Sequence, residues 1–256
     1  MATSALPIAL LAIYLTLSPS LVYIAIKHGL KHGAIIGWAF LFIFCTLRII
    51  SSAIQIHDTY SSSAALVASI GLSPLLAATC GVLHEARAYM FPKSRRPIDT
   101  PYLIFFHLLV TTAIALVASG ASKLDDDKLP PDQIKKGHSL AKVGMIMLFL
   151  GWFSIAMLVY ITYKESQARN FRKPSKSETG KKLLLAVTIS LPFLGIRVLD
   201  RMVYFYTQNP ELNPVTGSLG LRVGLEVIEE IIVTLLFIVV GIATRNVRAV
   251  TTADQS

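Results

Sequence analysis

The chain has 256 residues, 54% of them hydrophobic and only 15% charged, with a mean hydropathy of +0.61. That balance excludes an ordinary soluble domain, in which about a quarter of the residues are charged. The net charge of +9 does not signal a nucleic-acid partner, because the basic residues lie between apolar runs and not in one patch.

Seven apolar runs approach or exceed the ~20 residues that cross ~30 Å of hydrocarbon. They cover 5–26, 34–56, 64–90, 102–119, 141–163, 183–206 and 219–243. Lipid-facing backbone must hydrogen-bond within its own helix, so the runs predict an all-α membrane protein, one seven-transmembrane-helix bundle spanning 1–256. Basic residues orient it. Lys27 and Lys31, Lys93, Arg95 and Arg96, the seven between Lys164 and Lys182, and Arg245 and Arg248 fall on one side. Lys123, Lys128, Lys135 and Lys136 fall on the other, balanced by Asp125, Asp126, Asp127 and Asp132. The positive-inside rule therefore predicts a lumenal or outside N-terminus and a cytosolic C-terminus. The N-terminus lacks a basic n-region, so the first run reads as a retained helix and not a cleaved signal. Cys45 and Cys80 both lie inside runs, which argues against a disulfide framework.

In chain order, the first run is apolar and reads as lipid-facing packing, ending in a basic turn with His28 and His32. The second turns polar at Arg48, and Arg48, Ser52 and Gln55 recur at helical spacing. Arg48 is too deep to snorkel and requires an acidic partner. The third run carries Ser69, Ser73-Pro74 and Thr79, with a kink or close packing expected at the proline. Its end, His84-Glu85 and Arg87, reads as an interfacial group, and the second histidine of a zinc-protease HExxH is missing. The fourth run carries His107 and the fifth Gly144, Gly151 and Trp152, with Tyr160 and Tyr163 as an aromatic belt. The basic stretch 164–182 is expected to rest on anionic headgroups.

The last two runs hold the densest charge. The sixth has Arg197, Asp200, Arg201 and Tyr204, and the seventh has Arg222, Glu226, Glu229 and Glu230. Ionisable residues inside a span cost roughly 2.5–3.5 kcal/mol each on insertion scales and so mark partners or function. With Arg48 they make four cations against four acids in the outer half of the bundle. The series Arg222–Glu226–Glu230 repeats every four residues and is expected on one helix face.

Several stretches resemble a family of uncharacterised fungal seven-span integral membrane proteins. They are Arg48-Ile-Ile-Ser-Ser-Ala-Ile-Gln55, Ser69-Ile-Gly-Leu-Ser-Pro-Leu-Leu76, Leu191-Pro-Phe-Leu-Gly-Ile-Arg197, Asn213-Pro-Val-Thr-Gly217 and Glu226-Val-Ile-Glu-Glu230. Some small fungal membrane proteins of this kind are terpene cyclases of meroterpenoid pathways. The resemblance implies a cofactor-free, redox-neutral cyclase of a prenylated aromatic substrate, in the endoplasmic reticulum. Acid-initiated cyclisation needs one carboxylic acid as proton donor and a second group as acceptor. Glu226 and Glu230 are the first candidates, with Glu229 and Asp200 next. Arg48, Gln55, Arg197, Arg201, Tyr204 and Arg222 are candidates for substrate binding. The alternative is a non-enzymatic heptahelical receptor, carrier or scaffold whose charges are structural or bind an anion. The seventh run has no lysine, which excludes an opsin-like retinal Schiff base. A metal hydrolase built on His28, His32, His84 and His107 has no recognisable ligand spacing, and no metal is expected.

Overall fold

The computed structural model describes residues 2–29, 34–58, 64, 67, 70–92, 97–124, 130–167, 174–212 and 217–245. Among the described residues there are seven helices and no strand: α1 (Ala2–His28), α2 (Ala34–His57), α3 (Leu72–Met90), α4 (Asp99–Leu124), α5 (Pro131–Gln167), α6 (Pro174–Thr207) and α7. Helix α7 is composite, running without a break through Leu219–Arg222, a π-helical segment Val223–Val227 and Ile228–Ala243. Five helices are long and apolar enough to cross a membrane: α1, α2, α4, α5 and α6. The two others carry acids within their apolar stretches, Glu85 in α3 and Glu226, Glu229 and Glu230 in α7.

The bundle is organised around α3. It packs against α2, α4, α5 and α6, and sixteen of its nineteen residues are buried. Its sequence explains this. Ala77, Ala78, Thr79, Gly81 and Ala86 give it a slim body that neighbours approach on every side, the usual solution where apolar burial alone does not hold helices together. One close approach is Gly81 against Gly37 of α2, where a Cβ on Gly81 would sit 2.5 Å from the Gly37 Cα. Only glycine fits both positions.

The third run is interrupted by a turn at Gly71, after the helical Ile70, and Pro74 stands buried in the first turn of α3 just beyond it, a position proline tolerates. Ser69 and the serines at 61–63 lie outside the described residues. Helices α4, α5 and α6 extend beyond the apolar runs, so part of the basic 164–182 stretch is helical. Polar residues end a hydrophobic run without ending a helix. Outward, exposed apolar side chains such as Phe105, Leu108, Phe153 and Val239 give the bundle the greasy exterior of a protein that sits in lipid. Inside, α1 meets α2 and α7, α6 meets α7, and α4 pairs with α5.

Candidate functional site

Five charged side chains from α2, α6 and α7 form an alternating ladder. Arg48 Nη2 pairs with Glu230 Oε1. The same oxygen is 2.8 Å from Arg197 Nη2, and Arg197 Nη1 is 2.9 Å from Glu226 Oε1. Glu226 Oε1 also pairs with Arg201 Nη2. The order is thus Arg48–Glu230–Arg197–Glu226–Arg201, and all five are buried. Helical spacing builds it: Arg197 and Arg201 lie one turn apart on α6, and Glu226 and Glu230 lie one turn apart on the antiparallel α7. Three guanidiniums share two carboxylates, so the ladder carries one excess positive charge.

Two more acids lie beside it. Glu229 is buried, makes no ion pair among the described residues, and its Oε2 has no hydrogen-bond partner there. It lies within electrostatic reach of Arg197, Asp200 and Glu230. Asp200 is half-buried beside Arg201 and Arg197. Arg222 is half-buried and within reach of Arg48. The ion pairs of Glu226 and Glu230 run to α2 and α6. The π segment between Arg222 and Ile228 holds more residues per turn than an α-helix, which turns Arg222 out of the regular four-residue register expected for it. Nothing in Val-Gly-Leu-Glu-Val announces that segment. Tyr204 is half-buried, its ring edge-on to Phe205 at 5.2 Å between centroids. Gln55 is buried but engaged away from the ladder. Its Nε2 donates to Ser51 Oγ at 3.2 Å, and Ser51 donates to the Ala64 carbonyl at 3.0 Å.

Helix α1 is not merely lipid-facing. Tyr14 is fully buried, edge-on to Phe44, and within electrostatic reach of Glu230, Arg48 and Arg197. Its hydroxyl has no hydrogen-bond partner among the described residues, and neither does Thr234 Oγ1, one turn beyond Glu230. A lone tyrosine among leucines shows no sequence signal for this position.

The other end of the bundle holds two polar clusters, roughly 15 Å along α2 from Arg48 to Trp38 at 1.5 Å per residue. His28 Nδ1 is 2.6 Å from Glu85 Oε1, and its Nε2 is 2.9 Å from the Gly241 carbonyl. Trp38 Nε1 donates to Glu85 Oε2 at 3.0 Å. The Gly241 oxygen only accepts, so Nε2 carries a hydrogen, and one proton lies between Nδ1 and Oε1. This latch ties α1, α2, α3 and α7. In the second cluster, Arg87 Nε donates to both carboxylate oxygens of Asp99 at 3.1 and 3.2 Å, and Nη1 donates to Thr162 at 2.7 Å. Glu85 and Arg87 are two residues apart, roughly 200° around the helix, so they face opposite sides of α3. The interfacial reading of Glu85 and Arg87 is corrected: both are buried and paired because α3 is the central helix. His28 is likewise buried. His32 lies outside the described residues, and no group of three potential metal ligands occurs among those described.

Two crevices adjoin these clusters. One, about 400 Å³ counting its mouth, runs between α3, α4, α5 and α6, with Arg201 in its lining. The larger, about 900 Å³ with its open side, lies between α1 and α2 near Trp38 and has no charged lining residue. It is far from the ladder, so size and chemistry do not coincide.

The family model described as a domain of unknown function (DUF7702) matches residues 2–247. No curated protein and no solved structure matches the chain.

Proposed function

The chain belongs to the DUF7702 family, and since that description carries no activity, we propose a function from the site. The protein is a seven-span membrane protein with its N-terminus lumenal or outside and its C-terminus cytosolic, resident in the endoplasmic reticulum. It cyclises a prenylated aromatic substrate drawn from the bilayer, by acid initiation, as the resemblance to fungal meroterpenoid cyclases implies. One observation supports this reading and changes the assignment of roles. Glu226 and Glu230 are held by guanidiniums, whereas Glu229 is buried beside them without an ion pair among the described residues. Glu226 and Glu230 are each engaged by two arginines, so the uncommitted Glu229 is assigned as the acid and Asp200, within electrostatic reach of it, as the acceptor.

The step is redox-neutral. Glu229 gives its proton to an epoxide oxygen or a terminal alkene carbon, and the electron-deficient carbon is attacked by the next double bond. A final C–H proton leaves to a carboxylate, so product and substrate are isomers. The test is expression in a fungal host fed farnesylated and epoxyfarnesylated phenols, with extracts compared by mass spectrometry. A new isomer made by the wild type and absent with a folded Glu229→Gln variant supports the reading. No isomer from any such substrate, with folded protein in the membrane, sinks it.

The second reading is a non-enzymatic heptahelical carrier or scaffold, favoured by the completeness of the ladder: Arg48, Arg197 and Arg201 all face carboxylates, as a structural network requires. Under that reading Glu229→Gln leaves function intact, while the loss of any ladder member unfolds the outer half.

A further inference from the structure

Helix α1 is held firmly at one end and loosely at the other. It runs parallel to α7, with His28 against Gly241 and Tyr14 within electrostatic reach of Glu230. Towards His28 it carries Leu21 and Ile24, both fully buried, and His28 ties it to Glu85 and to the Gly241 carbonyl. Packing there is close: a Cβ on Gly241 would sit 2.9 Å from an Ile24 methyl group. The outer end differs. Tyr14 is buried towards the ladder, yet its hydroxyl makes no hydrogen bond among the described residues. On the α7 side, none of Leu219–Arg222 is buried, and a Cβ on Gly220 or Gly224 would meet no described atom within 4 Å. The outer end of α7 has room around it, where the inner end has none. Between the two halves of α1 the sequence builds a weak point. Pro19 has no N–H, so the Leu15 carbonyl loses its intrahelical donor, and the proline ring crowds that carbonyl. Thr16 and Ser18 donate their hydroxyls back to the Ala12 and Tyr14 carbonyls, each at 2.7 Å, a contact that loosens and bends helices. Three such features within 12–19 place a hinge between Tyr14 and Leu21.

We propose that the outer part of α1, residues 2–18, is a lateral gate. It swings about the hinge while the His28 latch fixes the inner part, and it parts from α7 to open the Arg48–Glu230 end of the ladder to the bilayer. What passes is a lipid-soluble molecule with a polar group, because the path leads from acyl chains to buried guanidiniums. Tyr14 poises the gate: a buried hydroxyl without a partner costs the closed position free energy that an open one, free to pair, recovers. The gate rests on the proposed reaction for the identity of its passenger but not for its motion.

The two cysteines of the chain make a reporter pair. Cys45 is buried within electrostatic reach of Tyr14 and Glu230, and Cys80 is buried in the enclosed α3. The full chain in phosphatidylcholine nanodiscs is treated with N-ethylmaleimide, and modification of each cysteine is followed by mass spectrometry. Cys45 is expected to react well ahead of Cys80, because opening of the gate exposes Cys45 alone whereas Cys80 waits for the bundle to open. Pro19→Ala restores one helix hydrogen bond, so the Cys45 rate is expected to fall about tenfold while Cys80 keeps its rate. Tyr14→Phe removes the unpaired hydroxyl and is expected to slow Cys45 as well. One common rate for both cysteines, no reaction of Cys45 in the folded protein, or a Cys45 rate that either folded variant leaves unchanged overturns the gate. Labelling of Cys45 that Pro19→Ala slows, without any cyclised product, keeps the gate and removes the reaction. Cyclised product with Cys45 closed to the reagent does the reverse.

Discussion

Glu230 is an interior member of the ladder, facing Arg48 on one side and Arg197 on the other through a single oxygen. Replacing it with leucine leaves two buried guanidiniums short of a carboxylate. Breaking a buried pair by removing one partner costs about 3–5 kcal/mol, most of it the penalty of the charge left behind. Arg197 still has Glu226 at 2.9 Å, so the loss falls chiefly on Arg48, and the expected cost of Glu230→Leu lies within that range. Arg48→Leu leaves Glu230 with Arg197 and is milder. The double variant removes both ends of the Arg48–Glu230 pair, so it costs less than the sum of the singles, with a coupling of roughly 1–3 kcal/mol. Equilibrium unfolding in mixed micelles of rising denaturing-detergent fraction measures all four corners of the cycle. Strict additivity would refute the ladder as a coupled unit, as would a Glu230→Leu cost below about 1 kcal/mol, the range of surface pairs.

Other outcomes follow from the same geometry. Gly81→Ala drives a Cβ to 2.5 Å from the Gly37 backbone, so overpacking of about 1–3 kcal/mol is expected and a lower midpoint of thermal aggregation reports it. In the latch, His28→Ala leaves Glu85 facing only Trp38, whereas Glu85→Gln keeps an acceptor for Trp38 Nε1. The alanine variant is expected to lose about 3 kcal/mol, as for a broken buried pair, and the glutamine variant visibly less; equal losses in the same unfolding assay contradict the latch. Arg87→Lys loses the paired Nε contacts to Asp99 and cannot reproduce the fork that also reaches Thr162. It is expected to destabilise nearly as much as Arg87→Ala, and rescue by lysine in thermal denaturation counts against the buried cluster.

Much of the helix count was legible in length and apolarity alone, because a ~20-residue apolar stretch has few other destinies. The depth of Arg48 also demanded an acid, and the structure supplies Glu230. What a single sequence hides is which helix stands in the middle. Glu85 and Arg87 near the end of an apolar run look interfacial unless α3 is known to be enclosed. The signal was present in the small residues Ala77, Ala78, Gly81 and Ala86, which suit a helix packed on all sides. Tyr14 and His28 lie in helix α1, whose apolar residues leave no polar stripe to mark an inward face, so their partners on α2, α3 and α7 are a product of tertiary packing. The π segment in α7 is a departure of one residue from α register. It takes Arg222 out of register with Glu226 and Glu230, which stay together on the face that meets the arginines.

The distinction between Glu229 and its neighbours is the centre of the proposed chemistry, and one measurement addresses it directly. Membranes bearing the wild type, Glu229→Gln or Glu226→Gln are given the same farnesylated phenol in deuterated water, and the isomeric product is analysed for deuterium bound to carbon. An alkene-protonating acid at Glu229 predicts one carbon-bound deuterium with the wild type and no product with folded Glu229→Gln. Glu226→Gln is predicted to retain product, in lower yield, in proportion to the protein that still folds. Unchanged product from Glu229→Gln, or its loss only when Glu226 is replaced, contradicts the assignment.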